Sequence, residues 1–91
     1  MLDRIADSDL KALSLNEIAG LIYENWANVN YAAAPYLKVM AILENIGDDY
    51  YFDSGRLVVM YFLLNASSFR GEAAKAIKAE LNRRLKLEVK S

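Results

Sequence analysis

The sequence predicts an all-α protein, a compact bundle of about four helices with a central helix around residues 54–66. Three observations support this prediction. Apolar residues recur at the three- and four-residue spacing of a helix in separate segments, and residues that begin or end helices flank those segments. The length of 91 residues suits one domain with one modest core. We therefore expect a single helical domain over residues 1–91.

The first predicted helix begins after Ser14, which has capping-box spacing with Glu17. A short helical turn over residues 7–13 is expected before it. Its apolar face is formed by residues at helical spacing: Leu15, Ile18, Leu21, Ile22, Trp26 and Val29.

The second predicted helix has Pro35 in its first turn, where the missing N–H is not needed. Its apolar residues again follow helical spacing: Tyr36, Val39, Met40, Leu43 and Ile46. Gly47 is expected to end this helix in the left-handed conformation. From there to Ser54 the sequence predicts an irregular connection.

The segment LVVMYFLL, residues 57–64, fits either a helix or a buried strand. We favour a helix, because a single short strand would have no pairing partner elsewhere in the chain. Asp53 or Ser54 would cap it, and Asn65 lies near its end. Since apolar residues point in every direction around it, this helix is expected to be the most buried.

The last predicted helix runs from about Arg70 to Leu87. Its core stripe is predicted to be Ala74, Ile77, Leu81 and Leu85. Polar and basic residues gather on the opposite face: Lys75, Asn82, Arg83 and Lys86.

The composition narrows the range of functions. The chain has no cysteine and no histidine, which excludes disulfides, thiolate zinc sites and the usual catalytic triads built from this chain alone. Its start is polar and its longest apolar run is far shorter than a membrane span, so we expect a cytoplasmic protein that does not enter a membrane. The hydrophobic content of 55% exceeds the usual share, which predicts a homodimer.

Charge is unevenly distributed along the chain. Residues 1–69 carry a balance of −5 and residues 70–91 a balance of +4, although the net charge is only −1. A basic terminal helix is a feature of some nucleic-acid-binding regulators, which is the alternative function. The candidate anion or nucleic-acid contacts are Arg56, Lys75, Arg83, Arg84 and Lys86. The overall pI of about 5.3 argues against this alternative.

The segment GDDYYFDSGR, residues 47–56, concentrates acids and aromatics. It does not match an EF-hand, because frames beginning at Asp48 or Asp49 place aromatic residues at ligand positions and no glycine at position 6. Ser54, Gly55 and Arg56 form a candidate anion seat at a helix start, but no P-loop or GxGxxG motif is present. We predict no enzymatic activity, no metal and no cofactor.

The aromatics of the same segment predict a contact surface for a protein partner. Tyr50, Tyr51 and Phe52 are consecutive, and three adjacent rings cannot all enter one small core. Tyrosine is enriched at interfaces because it combines apolar area with a hydrogen-bonding group. Tyr50 and Tyr51 are therefore the predicted partner-binding rings, flanked by Asp48 and Asp49, although a reading in which these rings pack inward remains open.

Three segments together resemble a group of small uncharacterised proteins of bacterial genomes, phages and other mobile elements. They are NYAAAPYL (residues 30–37), YFDSG (residues 51–55) and YFLLNA followed by FRGE (residues 61–72). The likeness spans about residues 18–86, and Phe69 stands where the group tends to have tryptophan. The resemblance implies a shared small fold and a mobile-element setting. In that setting a small non-enzymatic protein would bind or inhibit a host factor, for example a component of a defence system.

Overall fold

The structure, a computed structural model, describes residues 10–50 and 53–89. Within these residues Leu10 and Lys11 are helical, and the elements that follow are four helices and two very short strands. They are α1 (Leu15–Asn25), α2 (Ala34–Met40), β1 (Asp49–Tyr50), β2 (Asp53–Ser54), α3 (Gly55–Leu64) and α4 (Glu72–Val89). Helices account for just over half of the 91 residues. The predicted all-α bundle of about four helices is confirmed.

Helix α1 begins with the predicted capping box. The Glu17 carboxylate accepts a hydrogen bond from the Ser14 N–H at 2.9 Å, and the Ser14 hydroxyl accepts one from the Glu17 N–H at 3.4 Å. These bonds satisfy backbone donors that a helix start leaves without partners. The helix buries Leu15, Ile18 and Ile22 of the predicted apolar face.

Helix α2 is shorter than the sequence predicts. Pro35 lies in its first turn as expected, but the helix has seven residues and ends at Met40, so Gly47 does not terminate it. Leu43 and Ile46 are buried, as their spacing suggested, yet they enter the core from turns. A tertiary contact competes with the helix here, because the Glu44 carbonyl accepts a hydrogen bond from the N–H of Leu15 at 2.8 Å.

The connection before α3 is more regular than predicted. Strands β1 and β2 pair antiparallel, with Asp49 opposite Ser54 and Tyr50 opposite Asp53. The N–H of Gly55 then donates to the Asp48 carbonyl at 2.6 Å. Any side chain at Gly55 would collide with this backbone, since its Cβ would lie 2.6 Å from the carbonyl oxygen of residue 46. The hairpin therefore fixes where α3 begins.

The ambiguous segment is a helix, α3. Ser54 is its N-cap, and its hydroxyl accepts a hydrogen bond from the Leu57 N–H at 3.2 Å. Helix α3 packs mainly against α2 and also against α4. Tyr36, in the first half of α2, stacks on Tyr61, in the second half of α3, and the Asp48 carbonyl reaches the start of α3.

One continuous cluster of apolar residues forms the core. Trp26 lies near its centre, with its ring stacked on Phe69 at 5.0 Å and set edge-on to Phe62 at 6.2 Å. The largest fully buried side chains are Phe62, Phe69, Leu10, Leu15, Ile18, Ile22, Leu37, Met40, Ile77, Leu81 and Val59. The radius of gyration of 12.2 Å matches the value of about 12 Å expected for a compact domain of this length.

Most of the core stripe predicted for α4 is confirmed. Ala74, Ile77 and Leu81 are buried, and Leu85 is half-buried against the same core. Gly71, just before the helix, has φ +115°, a conformation that L side chains rarely adopt. Within the described residues, the helices are too short or too polar to cross a membrane.

Helix α3 has the central position that the sequence predicts and packs against both α2 and α4, but the other described elements do not enclose it on every side. Its buried residues Val58, Val59 and Phe62 face the core, whereas Leu57, Tyr61 and Leu64 are exposed. The other helices cover one side of α3 and leave the opposite apolar side in water.

Candidate interaction surface

The outward face of α3 is apolar along its whole length. Leu57, Tyr61 and Leu64 are 40%, 44% and 72% exposed, and Met60 between them is half-buried. At 3.6 residues per turn these four side chains lie within about 100° of one another around the helix. We call Leu57, Met60, Tyr61 and Leu64 the α3 stripe.

The α3 stripe exists because α3 has more apolar residues than one buried face can use. All residues from Leu57 to Leu64 are apolar or aromatic, so whichever side faces the core, the other side is also apolar. A helix that is apolar on all sides normally lies in the centre of a protein. Contiguous exposed apolar area of this kind is typical of interaction sites.

Aromatic residues from α2 and the preceding turn extend the α3 stripe. The ring of Tyr36 stacks on Tyr61 with centroids 5.5 Å apart and planes 28° apart. Nearby, the Asn30 side-chain amide donates to the Asn65 carbonyl at 3.1 Å, which ties the turn before α2 to the end of α3. Tyr31, next to this bond, is 91% exposed. The surface therefore presents Tyr36 and Tyr61, and the exposed Tyr31 lies on the adjoining turn; tyrosine is a residue type enriched at protein interfaces.

The α3 stripe carries no charge. Arg56 is the one charged residue in the sequence of α3, and it lies outside the stripe and is half-buried. Within the described residues its Nε atom is buried without a hydrogen-bond partner. The structure thus places the candidate anion contact Arg56 partly inside the protein.

The predicted partner-binding residues of the hairpin are described only in part. Asp48 is half-buried, and its carboxylate accepts a hydrogen bond from the Asn45 N–H at 3.0 Å, so it has a structural role in the turn. The backbones of Asp49 and Tyr50 form β1. Their side chains, and the whole of Tyr51, lie outside the described residues. The predicted tyrosine contact of this segment stays a prediction.

Arg83 and Arg84, two of the predicted anion or nucleic-acid contacts, form ion pairs with the buried carboxylate of Glu80. Glu80 is 5% exposed, and its carboxylate accepts hydrogen bonds from Arg83 Nε at 2.9 Å and Nη2 at 2.7 Å. Arg84 Nε donates to the same carboxylate at 2.6 Å. The hydrogen bonds from Arg83, together with Arg84, hold the pKa of Glu80 below its usual range against the opposing effect of burial.

Arg84 also binds backbone from the other end of the chain. Its Nη2 donates to the carbonyl oxygens of Leu10 and Leu13, each at 2.8 Å, and its side chain is only 13% exposed. Arginine suits this role because its planar group presents several donors in fixed directions. The structure therefore gives Arg84 an internal role in place of the predicted surface contact.

The remaining basic residues of α4 differ in their exposure to solvent. Lys75 and Lys86 are exposed, as a nucleic-acid contact would require. Lys78, however, is half-buried with its ammonium 5.7 Å from the centre of the Phe69 ring, and burial, with the charge of Arg70, lowers its pKa. Arg83 and Arg84 are both paired with Glu80, but only Arg84 is largely buried, since the Arg83 side chain is 39% exposed.

Two open clefts flank Lys11, beside the C-terminal half of α4. One, of about 240 Å³, has Asn45, Arg84 and Leu87 in its walls; the other, of about 220 Å³, lies beside Glu80 and Arg83. Among the described residues there is no group of three or more acidic side chains that could hold a metal ion.

Comparisons of the chain with protein-family profiles, curated proteins and solved structures give no match. The resemblance to mobile-element proteins therefore stays a prediction. Two of the segments that carry it do meet in space, since Tyr36 of the first stacks on Tyr61 of the last.

Sequence reasoning missed the α3 stripe by assigning all of residues 57–64 to the core. The signal was present, because a ten-residue helix with apolar residues all round cannot be enclosed by the few elements of a 91-residue chain. Sequence reasoning also missed Glu80, whose burial has no local signal in the sequence. Only its pairing with Arg83 and Arg84 explains its burial.

Proposed function

We propose that the chain is a small, non-enzymatic protein–protein interaction protein that binds through the α3 stripe. The observation that carries this proposal is that one entire face of α3 is apolar, uncharged and exposed. Burying it removes apolar area from water, which contributes roughly 25 cal/mol per Å². Tyr36 and Tyr61 add an aromatic pair of the kind that forms interface hot spots.

The setting of this function comes from the sequence resemblance. In a phage or other mobile element, a protein of this kind would bind a host factor in the cytoplasm, for example a component of a defence system. The apolar surface supports a partner with a matching apolar groove or helix face, and it gives no preference for an acidic or a basic partner.

Nucleic-acid binding through α4 is the less favoured function. Arg84 is directed inward and Arg83 is paired with Glu80, which leaves Lys75 and Lys86 as the exposed members of the predicted set. Two lysines contact few phosphates and release few counterions, so binding would be weak and would change little with salt concentration.

Capture from an extract of the native host tests the proposal. The wild-type chain is compared with Leu64→Lys in the α3 stripe and with Leu87→Lys, a matched control at another exposed leucine, 56% exposed on α4. We expect specific host proteins to be retained by the wild type and by Leu87→Lys and to be lost with Leu64→Lys. All three chains should melt at similar temperatures, since both positions are exposed.

The opposite result would identify another surface. If Leu64→Lys retains the same proteins and Tyr50→Ala with Tyr51→Ala loses them, the hairpin is the contact site and the α3 stripe is not. If capture disappears when nucleic acid is digested, and Lys75→Ala with Lys86→Ala removes it, the chain is a nucleic-acid-binding protein.

A further inference from the structure

We infer that one partner of the α3 stripe is a second copy of this chain, with the two α3 helices antiparallel about a two-fold axis between Met60 and Tyr61. The inference rests on the proposed function, because it uses the same surface. It adds the identity of the partner on the α3 stripe, the relative direction of the two α3 helices and the register between them.

The order of residues in the α3 stripe supports this arrangement. Reading in either direction, the stripe begins and ends with leucine and has the unbranched Met60 and the aromatic Tyr61 in the middle. In an antiparallel pair about that axis, Leu57 of one copy lies opposite Leu64 of the other, and Met60 lies opposite Tyr61. A two-fold interface needs such self-complementarity, because every contact occurs twice.

Electrostatics also permit this pairing. A two-fold axis brings each group close to its own copy, so a charge near the axis would be repelled by its equivalent. The α3 stripe has no charged residue, and neither have Tyr31 and Tyr36 beside it. A second copy can therefore approach without burying a charge or opposing like charges.

The available area agrees with a weak dimer. Tyr31, Leu57, Tyr61 and Leu64 are 91%, 40%, 44% and 72% exposed. With about 200 Å² for a whole tyrosine side chain and somewhat less for leucine, they offer roughly 500 Å² per copy. With all of this area covered, two copies would bury at most about 1,000 Å², which is below the roughly 1,200 Å² of stable interfaces and in the range of weak, transient ones. We therefore expect association at about micromolar to hundred-micromolar concentration.

Cysteine cross-linking tests the register directly. The chain has no natural cysteine, so any disulfide must come from an introduced one. Leu57→Cys and Leu64→Cys are prepared separately, one with a mass tag, and oxidised alone and as a mixture. Antiparallel pairing predicts a disulfide between the two variants in the mixture and little in either sample alone. Equivalent positions would be offset by about 10 Å along the helix, too far for a disulfide.

A charge-pair experiment gives an independent readout. Leu64→Lys alone is expected to weaken self-association at least about tenfold. Leu57→Glu in the same chain should restore much of it, because the two new charges of opposite sign would face each other across the axis. As a control, Ile42→Glu, at a position 62% exposed outside the α3 stripe, should not restore it.

Each remaining outcome decides against the inference. Disulfides in the single-variant samples would mean parallel helices, and a mass of one chain at every concentration would exclude a second copy as a partner. Self-association that is unaffected by Leu64→Lys would place the dimer contact on another surface. If the chain does not self-associate but Leu64→Lys still loses captured host proteins, the self-association is refuted and the proposed function stands.

Discussion

Replacing Arg84 with methionine removes the guanidinium that joins α4 to the segment before α1. We expect Arg84→Met to lower the free energy of unfolding by about 2–4 kcal/mol. For a domain of this size, each kcal/mol lowers the melting temperature by roughly 4–8 °C. Methionine retains the apolar stem of the side chain, so the change reports mainly on the hydrogen bonds.

The expected loss of unfolding free energy follows from the hydrogen bonds that each partner of Arg84 loses. Arg84 donates to Glu80 at 2.6 Å and to the carbonyls of Leu10 and Leu13 at 2.8 Å. Glu80 keeps its two bonds from Arg83, and the Leu10 carbonyl still accepts from the Leu13 N–H at 3.1 Å. Within the described residues, only the Leu13 carbonyl loses its partner completely. The expected loss is therefore smaller than the sum of three charged hydrogen bonds.

Urea unfolding followed by circular dichroism measures this effect. Lys86→Met is the matched control, because it removes the same charge from an exposed position on the same helix and should change stability by less than about 0.5 kcal/mol. Arg84→Lys keeps the charge without the planar group, and we expect an intermediate loss. If Arg84→Met is as stable as Lys86→Met, the contact between α4 and the N-terminal segment does not stabilise the fold.

Three further predictions concern acid sensitivity, the start of α3 and two glycines. Folding lowers the pKa of Glu80 from its usual 4.5, so the stability contributed by its carboxylate is complete above that pH and is lost as the pH falls through the folded-state pKa. The melting temperature, measured as a function of pH in the acid range, should therefore depend less on pH in Glu80→Gln than in the wild type. Ser54→Ala removes the N-cap of α3 and should cost about 1 kcal/mol in urea unfolding, whereas the exposed Ser67→Ala should cost almost nothing. Gly55→Ala should strongly lower the melting temperature, because the new Cβ would collide with the backbone before α3. Gly20→Ala, in a helix with open space around it, should raise the free energy of unfolding by about 0.5–1 kcal/mol. Equal melting temperatures for the two glycine variants would contradict the backbone arrangement before α3.

The features that the sequence predicts correctly depend on neighbouring residues. The Ser14 capping box, Pro35 in the first turn of α2 and the Ser54 cap all act within a few residues, so spacing along the chain reveals them. The core stripe of α4 follows from its periodicity for the same reason.

The features that the sequence does not predict depend on contacts between residues that are far apart along the chain. Arg84 binds carbonyls more than 70 positions earlier, and no local pattern distinguishes it from Arg83 or from an exposed arginine. Helix α2 ends early while the Glu44 carbonyl bonds to Leu15, a contact that apolar spacing cannot reveal. The exposed side of α3 depends on which faces the other helices cover. For that reason the candidate site appears only once the helices are packed.

Sedimentation equilibrium of three chains tests most directly whether the α3 stripe is an interaction surface. The wild type, Leu64→Lys and the control Leu87→Lys are measured from about micromolar to several hundred micromolar. The proposal predicts that the wild type and Leu87→Lys rise from 10.2 kDa toward twice that mass, while Leu64→Lys needs at least about tenfold higher concentration for the same rise. A wild-type mass of 10.2 kDa at every concentration would refute self-association through the α3 stripe, and equal masses for Leu64→Lys and Leu87→Lys would place the dimer contact on another surface.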